Sequence, residues 1–187
     1  MLIHIIRHTT PDIAKGICYG QTDLALASSF YEERELLTSK LLESYDAVYT
    51  SPLQRCSRLA NYIAGQQEPI EEPRILEYNF GDWELHHWDS LTSAAAQKWM
   101  DNFIDEPAPN GENMLAMQER VLEFWQELLA KPHSNVAVVT HAGVQRLIHA
   151  HILKSPIAHI FRLKIAFGTV FEVRHNANTG FLTIQSI

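Results

Sequence analysis

The chain has 187 residues, a net charge of -7 and 46% hydrophobic residues. This size and composition are typical of one globular domain with an ordinary core, so we expect a single domain over residues 1–187. The negative charge argues against a nucleic-acid or anionic-membrane surface. Two cysteines do not make a disulfide framework, and no apolar stretch has the length of a signal or membrane segment. We therefore expect a cytoplasmic protein.

Predicted strands and helices alternate along the chain. Strands are predicted at residues 2–6, 46–50, 135–140, 169–174 and 181–187, with a further short strand within residues 69–76. Helices are predicted at residues 28–42, 51–63, 90–103, 113–130 and 142–153. Ser51 is predicted to be the N-cap of the second helix, with Pro52 in its first turn. This alternation indicates an α/β fold with three layers, in which helices cover both faces of a mostly parallel sheet. The last two strands are expected to form an antiparallel hairpin.

Polar side chains follow three of the predicted strands at the point where each strand ends. The first strand ends in Arg7 and His8, the second leads to Arg55, and the strand at residues 135–140 leads to His141. In sheets of this type, ligands bind beyond the carboxyl ends of the strands. The sequence therefore predicts that two arginines and two histidines meet there, as an acidic protein that binds an anion requires.

Four segments together resemble the histidine phosphatase (phosphoglycerate mutase-like) superfamily. They are Arg7-His8-Thr9, Ser51-Pro52-Leu53-Gln54-Arg55, Glu77 within LEYNFGDWE, and Thr140-His141-Ala142-Gly143. Each segment alone has an ordinary structural explanation, but four of them at predicted element ends favour the functional interpretation. The stretch at residues 16–23 further resembles the alpha-ribazole phosphatase branch, which serves cobalamin synthesis. The resemblance implies a phosphoglycerate mutase-like fold.

The resemblance also implies a role for each residue. His8 would attack phosphorus as a neutral imidazole and form a phosphohistidine. Arg7 and Arg55 would bind the phosphate oxygens, and their charges would keep His8 unprotonated. His141 would donate a hydrogen bond to the transferring group. Glu77 would protonate the leaving oxygen and later accept a proton from water.

Other expectations concern the substrate, which would be a small-molecule phosphate ester. No cofactor and no metal are expected, because the arginines and His141 supply the positive charge, and no residue cluster has convincing metal spacing. Many relatives carry a phosphate-binding asparagine that cannot be placed in this sequence, and Tyr19, Gln21 or a backbone amide would substitute for it. Residues 80–112 would form a substrate-covering insertion.

Three alternatives to an alpha-ribazole phosphatase remain open. One is a broad-specificity sugar or phosphoglycerate phosphatase, or a mutase, although mutases usually have a longer middle insertion. Another is an inactive protein that binds a phosphate ligand on the same scaffold. A third is a metallohydrolase that uses some of the ten histidines.

Overall fold

The computed structural model describes all 187 residues. Its strands are β1 (Leu2–Arg7), β2 (Ala47–Thr50), β3 (Ile70–Glu71), β4 (Asn135–Thr140), β5 (Val170–Asn176) and β6 (Phe181–Ser186). Its α-helices are α1 (Phe30–Thr38), α2 (Gln54–Ala64), α3 (Ala94–Asp101), α4 (Met114–Leu129) and α5 (Ala142–Leu153). Short 3₁₀ helices lie at Pro73–Ile75, Gly81–Trp83, Trp88–Ser90 and Ile157–Arg162. None of the helices is both long enough and apolar enough to span a bilayer.

The six strands form one sheet in the order β3-β2-β4-β1-β5-β6. Pairing is parallel from β3 through β2 and β4 to β1, and antiparallel where β1 meets β5 and β5 meets β6. The expected mostly parallel sheet with an antiparallel hairpin at one edge is therefore confirmed. The central strand β4 is apolar from Val136 to Val139 and buried from Val136 onward, as expected for a strand covered on both faces.

Helices cover both faces of the sheet, which confirms the three-layer prediction. Alternate residues of β1 and β4 point to opposite faces. On one face, Ile6 and Val139 pack in a cluster with α1 and α2. On the other face, Ile5 and Val138 belong to a larger cluster that includes residues of α4 and α5.

The register of the sheet brings the polar strand ends together. In the parallel pair β1 and β4, Arg7 lies opposite Thr140, so His8 and His141 leave the sheet side by side. In the pair β2 and β4, Thr50 lies opposite Val139, so the residues after β2 leave the same edge. This edge is the one where ligands bind in open sheets of this class.

One prediction about local structure was wrong. Ser51 is not the N-cap of α2: the helix begins at Gln54 with Leu53 as its cap residue, and the hydroxyl of Ser51 contacts His141 instead. The short strand predicted within residues 69–76 is confirmed as Ile70–Glu71, and a 3₁₀ turn that begins at Pro73 ends the extended segment.

Candidate active site

A cavity of about 300 Å³ opens at the carboxyl edge of the parallel strands. Its polar lining includes Arg7, His8, Tyr19 and Glu77. This volume is at the lower end of the range for small-molecule pockets, which is about 300–1,000 Å³. Residues from β1, from the loop after it, from the segment after Pro73–Ile75 and from α5 therefore meet in one pocket.

His8 is a buried, neutral imidazole with one defined tautomer. Its Nδ1 lies 2.7 Å from the backbone oxygen of Thr9, and a carbonyl oxygen can only accept, so Nδ1 carries the proton. Burial, followed by the positive charges of Arg55 and Arg7, holds the pKa of His8 well below its usual range. The ring therefore presents an unprotonated Nε2, which is the state that a nucleophilic imidazole requires.

Both predicted phosphate-binding arginines are held by backbone carbonyl groups. Arg7 donates through Nη1 to the Ile165 oxygen at 2.5 Å. Arg55 is fully buried and donates to the oxygens of Thr22 at 2.8 Å and Gly20 at 2.7 Å. Neither arginine forms an ion pair, and the buried Nε of each has no partner within the protein. Buried donors of this kind usually have a partner, and a bound oxyanion would supply one.

His141 lies beside His8 at the start of α5. The ring centroids of the two histidines are 5.2 Å apart. The Ser51 hydroxyl is 2.7 Å from Nε2 of His141, and Cys56 packs its thiol 3.6 Å from the same nitrogen. Burial, followed by the charge of Arg55, holds the pKa of His141 well below its usual range. His141 is therefore neutral, with a hydroxyl as the direct partner of one ring nitrogen.

The carboxylate of Glu77 reaches the pocket because a glycine faces it. The backbone amide of Gly143 donates to both carboxylate oxygens at 3.2 Å, and the amide of Tyr78 donates to Oε1 at 3.0 Å. A Cβ at position 143 would lie 2.1 Å from Oε1 of Glu77, so a larger residue would displace the carboxylate. The glycine of the Thr140–Gly143 motif thus has a steric role.

Two side chains fix the backbone around Glu77. Arg120 of α4 donates to the Glu77 oxygen at 3.1 Å and to the Leu76 oxygen at 2.8 Å. Gln21 donates through Nε2 to the same Glu77 oxygen at 3.0 Å. Gln21 does not line the cavity, whereas Tyr19 does. Of the two residues predicted to bind substrate, only Tyr19 lies where it could do so.

Glu84, the other acidic residue near Glu77, has a structural role. Its Oε1 accepts from the amides of Gln21 at 2.8 Å and Phe80 at 3.2 Å, and its Oε2 accepts from the amide of Thr22 at 2.6 Å. It does not line the cavity. The structure thus separates the two glutamates, which the sequence placed only seven positions apart.

Aromatic and aliphatic side chains form a wall of the cavity. Phe80 and Trp88 of the irregular segment contribute to it, and Ile160 and Phe161 contribute from the 3₁₀ helix Ile157–Arg162. Trp88 is 39% exposed and Phe161 is 47% exposed. Residues 157–162 were not among the predicted site residues, because a short 3₁₀ turn carries no recognisable sequence signature.

Arg146 also lines the cavity and was missed by the sequence analysis. It lies one helical turn after the His141 motif, within the apolar pattern of α5. A metal centre has no candidate ligand set in this structure: no three His, Cys, Asp or Glu side chains are grouped so that they could hold an ion.

Comparison with known proteins agrees with this geometry. An adenosylcobalamin/alpha-ribazole phosphatase from Escherichia coli K12 is 28% identical over 193 aligned positions, covering 99% of this chain and 94% of the relative. A 2,3-bisphosphoglycerate-dependent phosphoglycerate mutase from Haemophilus ducreyi is 24% identical, covering 90% and 92%. The crystal structure of the alpha-ribazole phosphatase from Shigella flexneri matches with a TM-score of 0.89 at 26% identity, covering 100% of this chain and 96% of that one.

The family profile of the histidine phosphatase superfamily, branch 1, matches residues 3–185. That span includes His8, His141 and both arginines predicted to bind phosphate. The chain belongs to the histidine phosphatase superfamily.

Proposed function

We propose that this protein is a metal-independent phosphomonoesterase that forms a phosphohistidine at His8. The observation that carries the proposal is the unprotonated Nε2 of a buried imidazole beside two guanidinium groups, with a carboxyl group in the same cavity. These are a nucleophile, an anion cradle and a proton donor, which together are sufficient for hydrolysis of a phosphate ester in two steps.

In the first step, Nε2 of His8 attacks phosphorus and the bond to the ester oxygen breaks. Arg7 and Arg55 balance the charge of the transferring group, and the proton of Glu77 passes to the leaving oxygen. The arginines are already held by Ile165, Gly20 and Thr22, so little reorganisation is needed when phosphate binds.

In the second step, a water molecule attacks the phosphorus of phospho-His8. The Glu77 carboxylate accepts the proton of that water while the P–N bond breaks, which restores neutral His8 and protonated Glu77 and releases phosphate. The backbone amides of Gly143 and Tyr78 hold the carboxylate in one place during both steps.

Ser51 sets the tautomer of His141 in this proposal. When the Ser51 hydroxyl donates to Nε2, the neutral ring carries its proton on Nδ1 and can donate it to a phosphoryl oxygen. Tyr19 takes the place of the family's asparagine, because its ring lies 5.5 Å from the guanidinium carbon of Arg55 and the charges of Arg7 and Arg55 act on its hydroxyl.

The proposed substrate is alpha-ribazole 5'-phosphate. Two relatives with this activity in their names match the full length of the chain. The apolar wall that includes Phe80, Trp88 and Phe161 suits a leaving alcohol that carries an aromatic base, which is what a ribazole provides. Residues 80–112 supply two of these three side chains, so we propose that this segment covers the substrate within a single domain of residues 1–187.

A second candidate substrate class is the phosphoglycerates, with hydrolysis or mutase transfer. The resemblance to a phosphoglycerate mutase favours it. The apolar wall argues against it, because a small substrate with two anionic groups makes poor use of aromatic surface. A panel that contains ribazole phosphate, sugar phosphates and phosphoglycerates, assayed with a chelator present, separates these candidates and the metallohydrolase alternative.

The test of the phosphohistidine is a brief incubation with substrate followed by an alkaline quench. Phosphate should be found on His8, stable in base and lost in acid, and His8→Ala should lower kcat by about 10⁴-fold or more. His133, in the turn at the opposite end of β4, provides a matched control as His133→Ala, which should retain activity. Full activity of His8→Ala would refute the proposal, and absence of any turnover in the wild-type protein would favour an inactive phosphate-binding protein.

A further inference from the structure

One part of this acidic chain has no acidic residues. Between Glu127 and Glu172 the sequence contains no Asp or Glu, but it contains Lys131, Arg146, Lys154, Arg162 and Lys164. The same stretch contains five of the ten histidines. The protein as a whole has a net charge of -7, so this stretch differs in sign from the rest of the chain. A local excess of positive charge of this kind favours the binding of an anion.

Part of this stretch folds around a second cavity of about 300 Å³. It lies between α5 and the 3₁₀ helix Ile157–Arg162, and the turn at Ser155 and Pro156 closes one end. Its charged or titratable lining consists of Arg146, His149, His159 and Arg162, and no carboxylate is among its ten lining residues. The remaining lining is aliphatic or small.

The polar groups of this cavity lack partners of opposite charge. Of the nine arginines in the chain, four form ion pairs with carboxylates, and neither Arg146 nor Arg162 is among them. Arg146 donates through Nε to the Leu163 oxygen at 3.0 Å, and no partner holds its terminal nitrogens. The buried Nδ1 of His149 also has no partner. A ligand with oxygen acceptors would satisfy the terminal nitrogens of Arg146.

The second cavity is next to the catalytic one. Arg146 and Ile160 line both, so they form the partition between them. Burial lowers the pKa of Arg146, and the nearby carboxylate of Glu77 partly offsets this shift. A group bound in the second cavity would therefore contact an arginine that also lines the catalytic cavity.

We propose that this second cavity is an oxyanion-binding subsite for a carboxylate or phosphate group, held by Arg146, His149, His159 and Arg162. The anionic group has two possible sources. It is either a second charged group on a substrate other than ribazole phosphate, which has no second anionic group, with its ester phosphate at His8, or a separate free anion. Planar guanidinium groups without carboxylate partners suit both forms of the group.

The first test measures binding of inorganic phosphate by calorimetry. The wild-type protein should bind two phosphates, one at the catalytic site and one in the second cavity. The double variant His159→Ala/Arg162→Ala should bind one. Both residues are exposed, so the variant should keep its fold, which a thermal melt verifies. Arg58→Ala is the matched control, since Arg58 is an exposed arginine of α2 without an ion pair and should leave both binding events in place.

The second test identifies the source of the anion and rests on the proposed function, because it needs turnover. The measured quantity is the ratio of kcat/KM for carboxyphenyl phosphate to that for phenyl phosphate. If the substrate supplies the group, the double variant should lower this ratio about tenfold. If a free anion supplies it, the ratio should stay constant while the second phosphate-binding event is lost.

A single phosphate-binding event in the wild-type protein, together with an unchanged ratio in the double variant, would overturn the inference. Two events that both survive in the double variant would overturn it as well. Because calorimetry needs no turnover, failure of the proposed function would leave the binding test intact. If the protein hydrolyses phosphate esters but binds only one phosphate, the proposed subsite is refuted while the proposed function stands.

Discussion

The edge of the central strands and the wall of the catalytic cavity are built in different ways. At the strand edge, His8, Arg55 and His141 are buried, and backbone oxygens or a buried hydroxyl hold each of them. In the wall, Trp88 and Phe161 are 39% and 47% exposed and no backbone group fixes their rings. In the proposed function, hydrogen bonds at the strand edge therefore fix the reacting groups, whereas the wall that would select the leaving group is held by aromatic packing at a partly exposed surface.

The strongest test of the rigid region is Glu77→Gln. An amide has the shape of the carboxylate but cannot donate a proton to the leaving oxygen. We expect kcat to fall about 10³-fold for an alkyl phosphate and only about tenfold for 4-nitrophenyl phosphate, whose leaving group needs no proton. Glu119→Gln, at an exposed position of α4, should leave both rates unchanged. An equal loss for both esters would argue against the acid role.

A smaller effect is expected for Ser51→Ala. Without the hydroxyl, Nε2 of His141 loses its partner and the ring loses its preferred tautomer. We expect kcat to fall about tenfold with little change in KM, which corresponds to one lost hydrogen bond of about 1.4 kcal/mol in the transition state. Ser57→Ala on α2 serves as the control. A change confined to thermal stability, with kcat intact, would contradict a role in positioning His141.

The exposed wall is tested by Trp88→Ala. Loss of one aromatic contact of about 1 kcal/mol should raise KM about fivefold for ribazole phosphate. It should not change KM for a small alkyl phosphate, which does not reach the wall. Phe181→Ala, a substitution of the 66% exposed aromatic residue of β6, should affect neither substrate. Equal changes for both substrates would show that Trp88 supports the fold and not selection.

The smallest expected effect is a gain in stability from Leu85→Gly. Leu85 has a φ of 67°, a left-handed conformation that costs a leucine about 1–2 kcal/mol, and its side chain is 59% exposed. Relief of this strain, less the added entropy of glycine in the unfolded chain, should stabilise the protein by about 0.5 kcal/mol. Leu36→Gly in α1, at an exposed helical position, should destabilise it by about 1 kcal/mol. Denaturant unfolding of both variants measures the difference.

The sequence was informative where local pattern and motif coincide. The apolar run of β4 and the motif after it predicted both a buried central strand and the position of His141, because strand ends in parallel sheets share one edge. Ser51 was misinterpreted, since a serine before a helix usually caps it, and its actual partner lies 90 positions away.

The positions of Arg146, Phe161 and Gln21 relative to the cavity could not be predicted from the sequence, again because they depend on contacts between distant segments. Arg146 lies in the apolar pattern of α5, and nothing in that pattern shows that a 3₁₀ turn packs beside it. Phe161 and Gln21 depend on contacts between segments that are distant in the chain. Only the folded structure separates Gln21, which holds the backbone of Glu77, from Tyr19, which faces the cavity.

The anchoring of Arg55 has a consequence for the loop that follows β1. Its two terminal nitrogens donate to the carbonyl oxygens of Gly20 and Thr22, so the phosphate that Arg55 would bind in the proposed function and the loop share one guanidinium. A lysine at this position would preserve the charge but could not bridge two carbonyls with a planar fork. The loop around Tyr19 would then lose its tether, and this apparently conservative exchange would disorder the entrance while leaving the electrostatics of the cradle nearly intact.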